Sequence, residues 1–165
     1  MISKSVIDSC LYFDIETAGA YSTLKEAMNN DLHLGELWEK RCKWLVKNLE
    51  PGDPIDPSEL WLHKSSLHPE FGRVVCISFG VFTEGGEHRI TSFYGEDEKE
   101  ILEKANKVLA NSRTKGYKLA GQNIKNFDVP YLGKRMLINS ITPDPFIQTW
   151  NKKPWETPFL DLGEI

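Results

Sequence analysis

Apolar positions along the chain follow two rhythms, one short and continuous, the other near a helical period. Cys10-Leu-Tyr-Phe-Asp-Ile15 is a brief β-prone run flanked by polar residues, the pattern of a buried strand. Thr17 to Tyr21 (TAGAY) is expected to break it. Leu34, Leu37, Trp38, Cys42, Trp44 and Leu45 then recur near 3.6 residues, with Glu36, Glu39, Lys40, Lys43 and Lys47 mostly on other faces. This predicts an amphipathic helix ending near Asn48. Glu50 to Pro57 (EPGDPIDP) holds three prolines and a glycine and reads as a loop. A short helix is expected to start at Pro57 and run into Leu60-Trp61-Leu62. Arg73 to Thr83 (RVVCISFGVFT) is the clearest strand, Gly85-Gly86 a hairpin-type turn, and His88 to Tyr94 the return strand. From Glu96 to Ser112, Ile101, Leu102, Ala105, Val108 and Leu109 form a helical stripe. Acidic residues open that helix and Arg113 and Lys115 close it, which suits the helix dipole. Lys118 to Gly121 reads as a strand, Phe127 to Ile138 as a helix with Pro130 in its first turn, and Phe159 to Leu162 as a last strand.

A hairpin combined with β-α-β-α-β order implies an α/β fold: a mixed sheet flanked by helices. The expected organisation is one domain over residues 1–165, with a helical insert at about 22–65.

Composition changes this picture little. The 165 residues are 40% hydrophobic and 27% charged, ordinary for a globular protein, and the formal net charge is -4. That balance excludes a protein that coats nucleic acid through bulk positive charge, but not an enzyme that meets a few phosphates through cations. Cys10, Cys42 and Cys76 are far apart and odd in number, with no C-x-x-C pair. They are expected to be reduced, mostly buried thiols of a cytoplasmic protein. The N-terminus lacks the apolar core and cleavage site of a signal peptide, and no apolar run is long enough to span a bilayer, so no membrane role is expected.

Candidate chemistry concentrates in two segments. In Phe13-Asp14-Ile15-Glu16-Thr17, Asp14 and Glu16 are two apart on a strand and therefore share a side, with Phe13 and Ile15 on the other. Two adjacent carboxylates repel each other, and a hard cation such as Mg²⁺ or Mn²⁺ relieves the repulsion. The bland alternative is an incidental pair on a solvated strand end. In Leu119 to Leu132 (LAGQNIKNFDVPYL), Asp128 lies in the first turn of a helix, where it serves either as a helix-terminal acid or as a ligand. If the Lys118 strand lies parallel beside the first, their carboxyl ends bring Asp128 next to Asp14 and Glu16, and three carboxylates at one point suit a two-metal site.

FDIET followed by GQN-x-x-NFD resembles the first and second motifs of the DEDD-type 3′–5′ exonucleases, and HPEFGRVVCISFGVF resembles the second strand of the proofreading-like branch related to family B polymerases. The resemblance spans nearly the whole chain. It implies a ribonuclease H-like five-stranded sheet and hydrolysis of terminal phosphodiesters at the 3′ end of single-stranded DNA or RNA. It also implies two divalent cations held by Asp14, Glu16 and Asp128, and a polymerase or replication protein as partner. By position it implies substrate contacts for Thr17, Asn123 and Phe127; a turn amide and a core ring are the plainer roles for the last two. Asp161 matches a family Leu-Asp near the last strand, more structural than catalytic.

The family's third motif, a Tyr or His followed by an Asp on a C-terminal helix, has no counterpart. After Asp128 the acidic residues are Asp144, Glu156, Asp161 and Glu164, none with a Tyr or His at the required offset. The expectation is a fragment or a shortened form without the C-terminal helices, whose uncovered sheet face invites oligomerisation. The same residues therefore also fit a non-catalytic nucleic-acid-binding or scaffold module. Two other groups carry possible nucleic-acid chemistry. Trp38 and Trp44 stand with Lys40, Arg41, Lys43 and Lys47; Lys125, Lys134 and Arg135 flank Asp128.

Overall fold

A computed structural model describes residues 3–48, 52, 55–83, 85–150, 152–153, 156–157 and 159–164. Its elements are α1 (Lys4–Asp8), β1 (Cys10–Gly19), α2 (Leu24–Asn30), α3 (Leu32–Leu45), α4 (Pro57–Lys64), β2 (Gly72–Phe82), β3 (His88–Tyr94), α5 (Glu98–Thr114), β4 (Lys118–Gly121), α6 (Asp128–Ile138) and β5 (Phe159–Asp161). The strands form one five-stranded sheet in the order β3-β2-β1-β4-β5. β2 and β3 are antiparallel, whereas β4 runs parallel to both β1 and β5. The sheet is therefore mixed and flanked by helices, consistent with a ribonuclease H-like fold.

The chain divides into two compact units: residues 1–16 with 74–165, and residues 17–73. The first holds most of the sheet with α5 and α6. Its core joins Leu11, Phe13 and Ile15 of β1 and Ile77 and Phe79 of β2 to Leu102 and Leu109 of α5 and Leu132 and Met136 of α6. The second unit has its own core of Leu24, Ala27, Trp38, Cys42, Leu45, Leu60, Trp61 and Phe71. Trp38 and Phe71 meet edge-to-face at 4.9 Å, and Trp38 and Trp61 at 5.1 Å, contacts worth about 1 kcal/mol each beyond simple burial. Each buried indole N–H finds a main-chain acceptor at 2.9 Å: Trp38 donates to the Pro57 carbonyl and Trp61 to that of Tyr21.

Three expectations need correction. β1 does not break at Thr17 but continues to Gly19, because strand pairing overrides the weak local preference of Ala and Gly. α1 and α2 are additional helices of five and seven residues, too short for a hydrophobic period to show. α5 starts at Glu98 rather than Glu96, with Asp97 as its N-cap accepting from the Glu100 N–H. Half of the Glu50 to Pro57 loop lies outside the described residues. All three cysteines are free thiols; Cys10 and Cys42 are buried and Cys76 is half-buried. Among the described residues no helix is long and apolar enough to cross a membrane.

Candidate functional site

The alternation read from the FDIET segment is present in the fold. Phe13 and Ile15 are buried, while Asp14 and Glu16 are exposed on the other side of β1. β1 pairs with β4 from Cys10↔Lys118 to Tyr12↔Ala120, so Asp14 lies two residues past the last of these pairs, at the carboxyl end of the parallel strands. Gly121 ends β4 where no side chain fits: a Cβ there would sit 2.4 Å from Ile124 Cγ2 and 2.6 Å from the Phe13 carbonyl oxygen. Glycine is thus what lets the end of β4 press against β1.

Beyond Gly121 the chain turns sharply. Asn123 adopts a left-handed conformation (φ 55°), which Asn tolerates better than most residues. Its N–H donates to Asp161 Oδ1 at 2.8 Å, and its side-chain oxygen accepts from Asn126 Nδ2 at 2.9 Å. The Lys125 N–H donates to Asp161 Oδ2 at 3.0 Å, and the Gly163 N–H to Oδ1 at 3.0 Å. Asp161, paired in register with Gly121, therefore clamps the turn that leads into α6. Burial raises the pKa of its carboxyl, but the three N–H donors outweigh that and hold it below the ordinary value.

The turn delivers Asp128 to β1. Its carboxyl is buried, and Oδ1 accepts the N–H of Ile15, the residue between Asp14 and Glu16, at 3.1 Å. Burial pushes Asp128 up to about 6. The Ile15 N–H and its own N–H oppose that rise, and the charges of Asp14 and Asp161 add to it. The structure thus brings Asp128 to the FDIET strand, with Asp14 close enough to act on it electrostatically. Phe127, at the N-cap of α6, packs against the core and lies 5.3 Å from the Tyr131 ring. Thr17, half-buried, belongs to the second unit.

The other candidates separate. Arg135 is buried in an ion pair with Glu98 (Nε–Oε1 2.8 Å), and Lys125 reaches Glu164 at 2.6 Å. Lys134 alone of that trio is exposed. Trp38 is core, whereas Trp44 is exposed. Asp144 binds Arg113 at 2.8 Å and accepts the Phe146 N–H, a structural role. The sequence reading missed Gly121 and the clamping role of Asp161; the visible signals were a glycine directly before Gln-Asn and an acid closing an apolar strand.

Asp14, Glu16 and Asp128 are the side chains that could hold a cation here, and their carboxylate oxygens suit Mg²⁺ or Mn²⁺. Asp128 fits such a use, because only main-chain N–H groups offset its burial. Among the described residues, however, no group of three or more His, Cys, Asp or Glu side chains is placed to hold a metal ion.

No family model matches the chain, and no curated protein matches it. Among solved structures, the chain is similar to the family B DNA polymerase from the hyperthermophilic archaeon Pyrobaculum calidifontis, at 16% identity and a TM-score of 0.45. The match covers 94% of this chain and 15% of the polymerase.

Proposed function

We propose that the carboxyl end of the β1–β4 pair is a two-metal phosphodiesterase site, and that the chain acts as a DEDD-type 3′–5′ exonuclease on single-stranded DNA or RNA. The observation that carries this reading is the bond from the buried Asp128 to the Ile15 N–H. It ties the second-motif carboxylate to the strand position between the two first-motif carboxylates. Bound Mg²⁺ or Mn²⁺ would supply an activated water and charge neutralisation at the leaving 3′-oxygen. The chain supplies the frame. Asp14 and Glu16 offer exposed oxygens on one face of β1, Asp128 is fixed by main chain, and the Asp161 clamp holds the turn that positions it. By the resemblance Thr17 would contact substrate, as would Asn123 and Phe127, whose role in the fold is to shape the turn before α6.

The test is Mn²⁺-dependent degradation of a 5′-labelled single strand by the wild-type chain and by Asp14→Ala. The expected result is a ladder shortening from the 3′ end, reduced more than about 100-fold in the variant. An unchanged ladder from Asp14→Ala would sink the assignment. Cleavage of a circular single strand would replace the exonuclease with an endonuclease, since an exonuclease needs a free end.

That no three acidic side chains converge among the described residues favours a second reading, a nucleic-acid-binding module that keeps the fold without catalysis. It predicts salt-dependent binding of a single strand with no metal-dependent cleavage.

A further inference from the structure

The outer face of α3 carries chemistry that the carboxylate site does not use. The inner face of this helix is spent on the core of the second unit through Gly35, Trp38, Cys42 and Leu45. Spaced three or four residues apart along the other side run Leu37, Lys40, Arg41 and Trp44, with Lys43 beside them and Lys47 in the single 3-10 turn that follows the helix. Trp44 is 55% exposed, an unusual placement for so large an apolar ring, while Trp38 on the same helix is wholly buried. The Arg41 guanidinium lies 5.5 Å from the centroid of the Trp44 ring. From Lys40 to Asn48 the chain carries four cations and no carboxylate, in a protein whose net charge is -4.

We propose that this face is a docking platform for single-stranded nucleic acid, with Trp44 stacking a base and Lys40, Arg41, Lys43 and Lys47 meeting phosphates. The partner follows from the chemistry. A single strand is a polyanion whose every unit offers a flat π-face, and it complements a stacked Arg–Trp pair set among lysines. A membrane surface is a poorer match, because the broad apolar face an interfacial helix would insert is already buried in the core. The platform shares its ligand class with the exonuclease reading but none of its residues, so either can fail alone.

The experiment is anisotropy of a fluorescein-labelled oligothymidylate with the full chain in EDTA, where metal-dependent cleavage is silent. Trp44→Ala is expected to weaken binding about tenfold, as loss of one base stack does. Lys43→Gln/Lys47→Gln is expected to flatten the dependence of log K on log salt by about 1.4, the share of two phosphate contacts on a single strand. Melting curves show that each variant remains folded, and Trp44→Leu provides a second, apolar replacement. Binding by both Trp44 variants within twofold of wild type would overturn the proposal. So would binding to phosphatidylserine vesicles with none to the oligonucleotide.

Discussion

Asp128 and Asp161 occupy similar places and receive opposite treatment. Each is 3% exposed, and each stands where a parallel strand or the turn beyond it reaches the carboxyl edge of the sheet. Asp161 takes N–H donors from Asn123, Lys125 and Gly163, and its pKa falls despite burial. Asp128 takes the Ile15 N–H and its own, faces the charge of Asp14, and is pushed up to about 6. A carboxylate that the fold supplies fully with donors is a structural joint. One left short of positive partners is either protonated or waiting for a cation. Glu98 belongs with Asp161: burial raises it, yet Arg135, the Val74 N–H and Asn139 together hold it below its ordinary value.

This contrast can be broken by substitution. The largest effect is expected from Glu98→Gln, which removes the anion that the buried Arg135 guanidinium contacts through Nε and Nη2. Urea denaturation should show a loss of about 3 kcal/mol or more. Asp161→Asn comes next. The amide replaces one anionic acceptor with a donor facing main-chain N–H groups, and a loss of about 2 kcal/mol is expected by the same measurement.

Asp128→Asn should do the reverse. The amide oxygen still accepts from Ile15, the buried charge is gone, and the metal-free protein at pH 7.5 should gain about 1 kcal/mol while losing any Mn²⁺-dependent cleavage. Equal destabilisation by the Asp128 and Asp161 amides would erase the distinction.

The smallest effect is in the pH profile of the metal-free protein. The pKa of Asp128 is raised in the fold from 3.8 to about 6, so its contribution is complete below the unfolded value and lost as pH rises through about 6. Asp161 and Glu98 have lowered values, so theirs is present above the unfolded values of 3.8 and 4.5 and lost as pH falls through the folded ones. Thermal melts in EDTA from about pH 3 to pH 8 should therefore show wild type most stable near pH 4.5, declining from there to about 6 and level above it. Asp128→Asn should lose the decline between about 4.5 and 6.

Some of this was legible in the residues alone. The alternation through Asp14 and Glu16 follows from the period of a strand, and the fold keeps it. The helix over Glu98–Thr114 follows from five apolar positions at helical spacing. α2 was missed for its length, although Thr23 and Glu26 marked its start: Thr23 Oγ1 accepts the Glu26 N–H, and Glu26 Oε2 accepts that of Ser22. Trp38 and Trp44 look alike in a sequence stripe; only packing against Trp61 and Phe71 makes one of them core.

The sequence by itself determined the strands, the long helices and which carboxylates share a face, because these depend on periodicities of two and 3.6 residues along neighbouring positions. The tertiary structure decided which buried acid is supplied with donors and which is not. Asp161 finds its N–H groups through the parallel pairing of β4 with β5 and a glycine-permitted turn, and Asp128 meets Ile15 across 113 positions of chain. Donor supply and desolvation are set by neighbours distant in the chain, and no local pattern of residues records them.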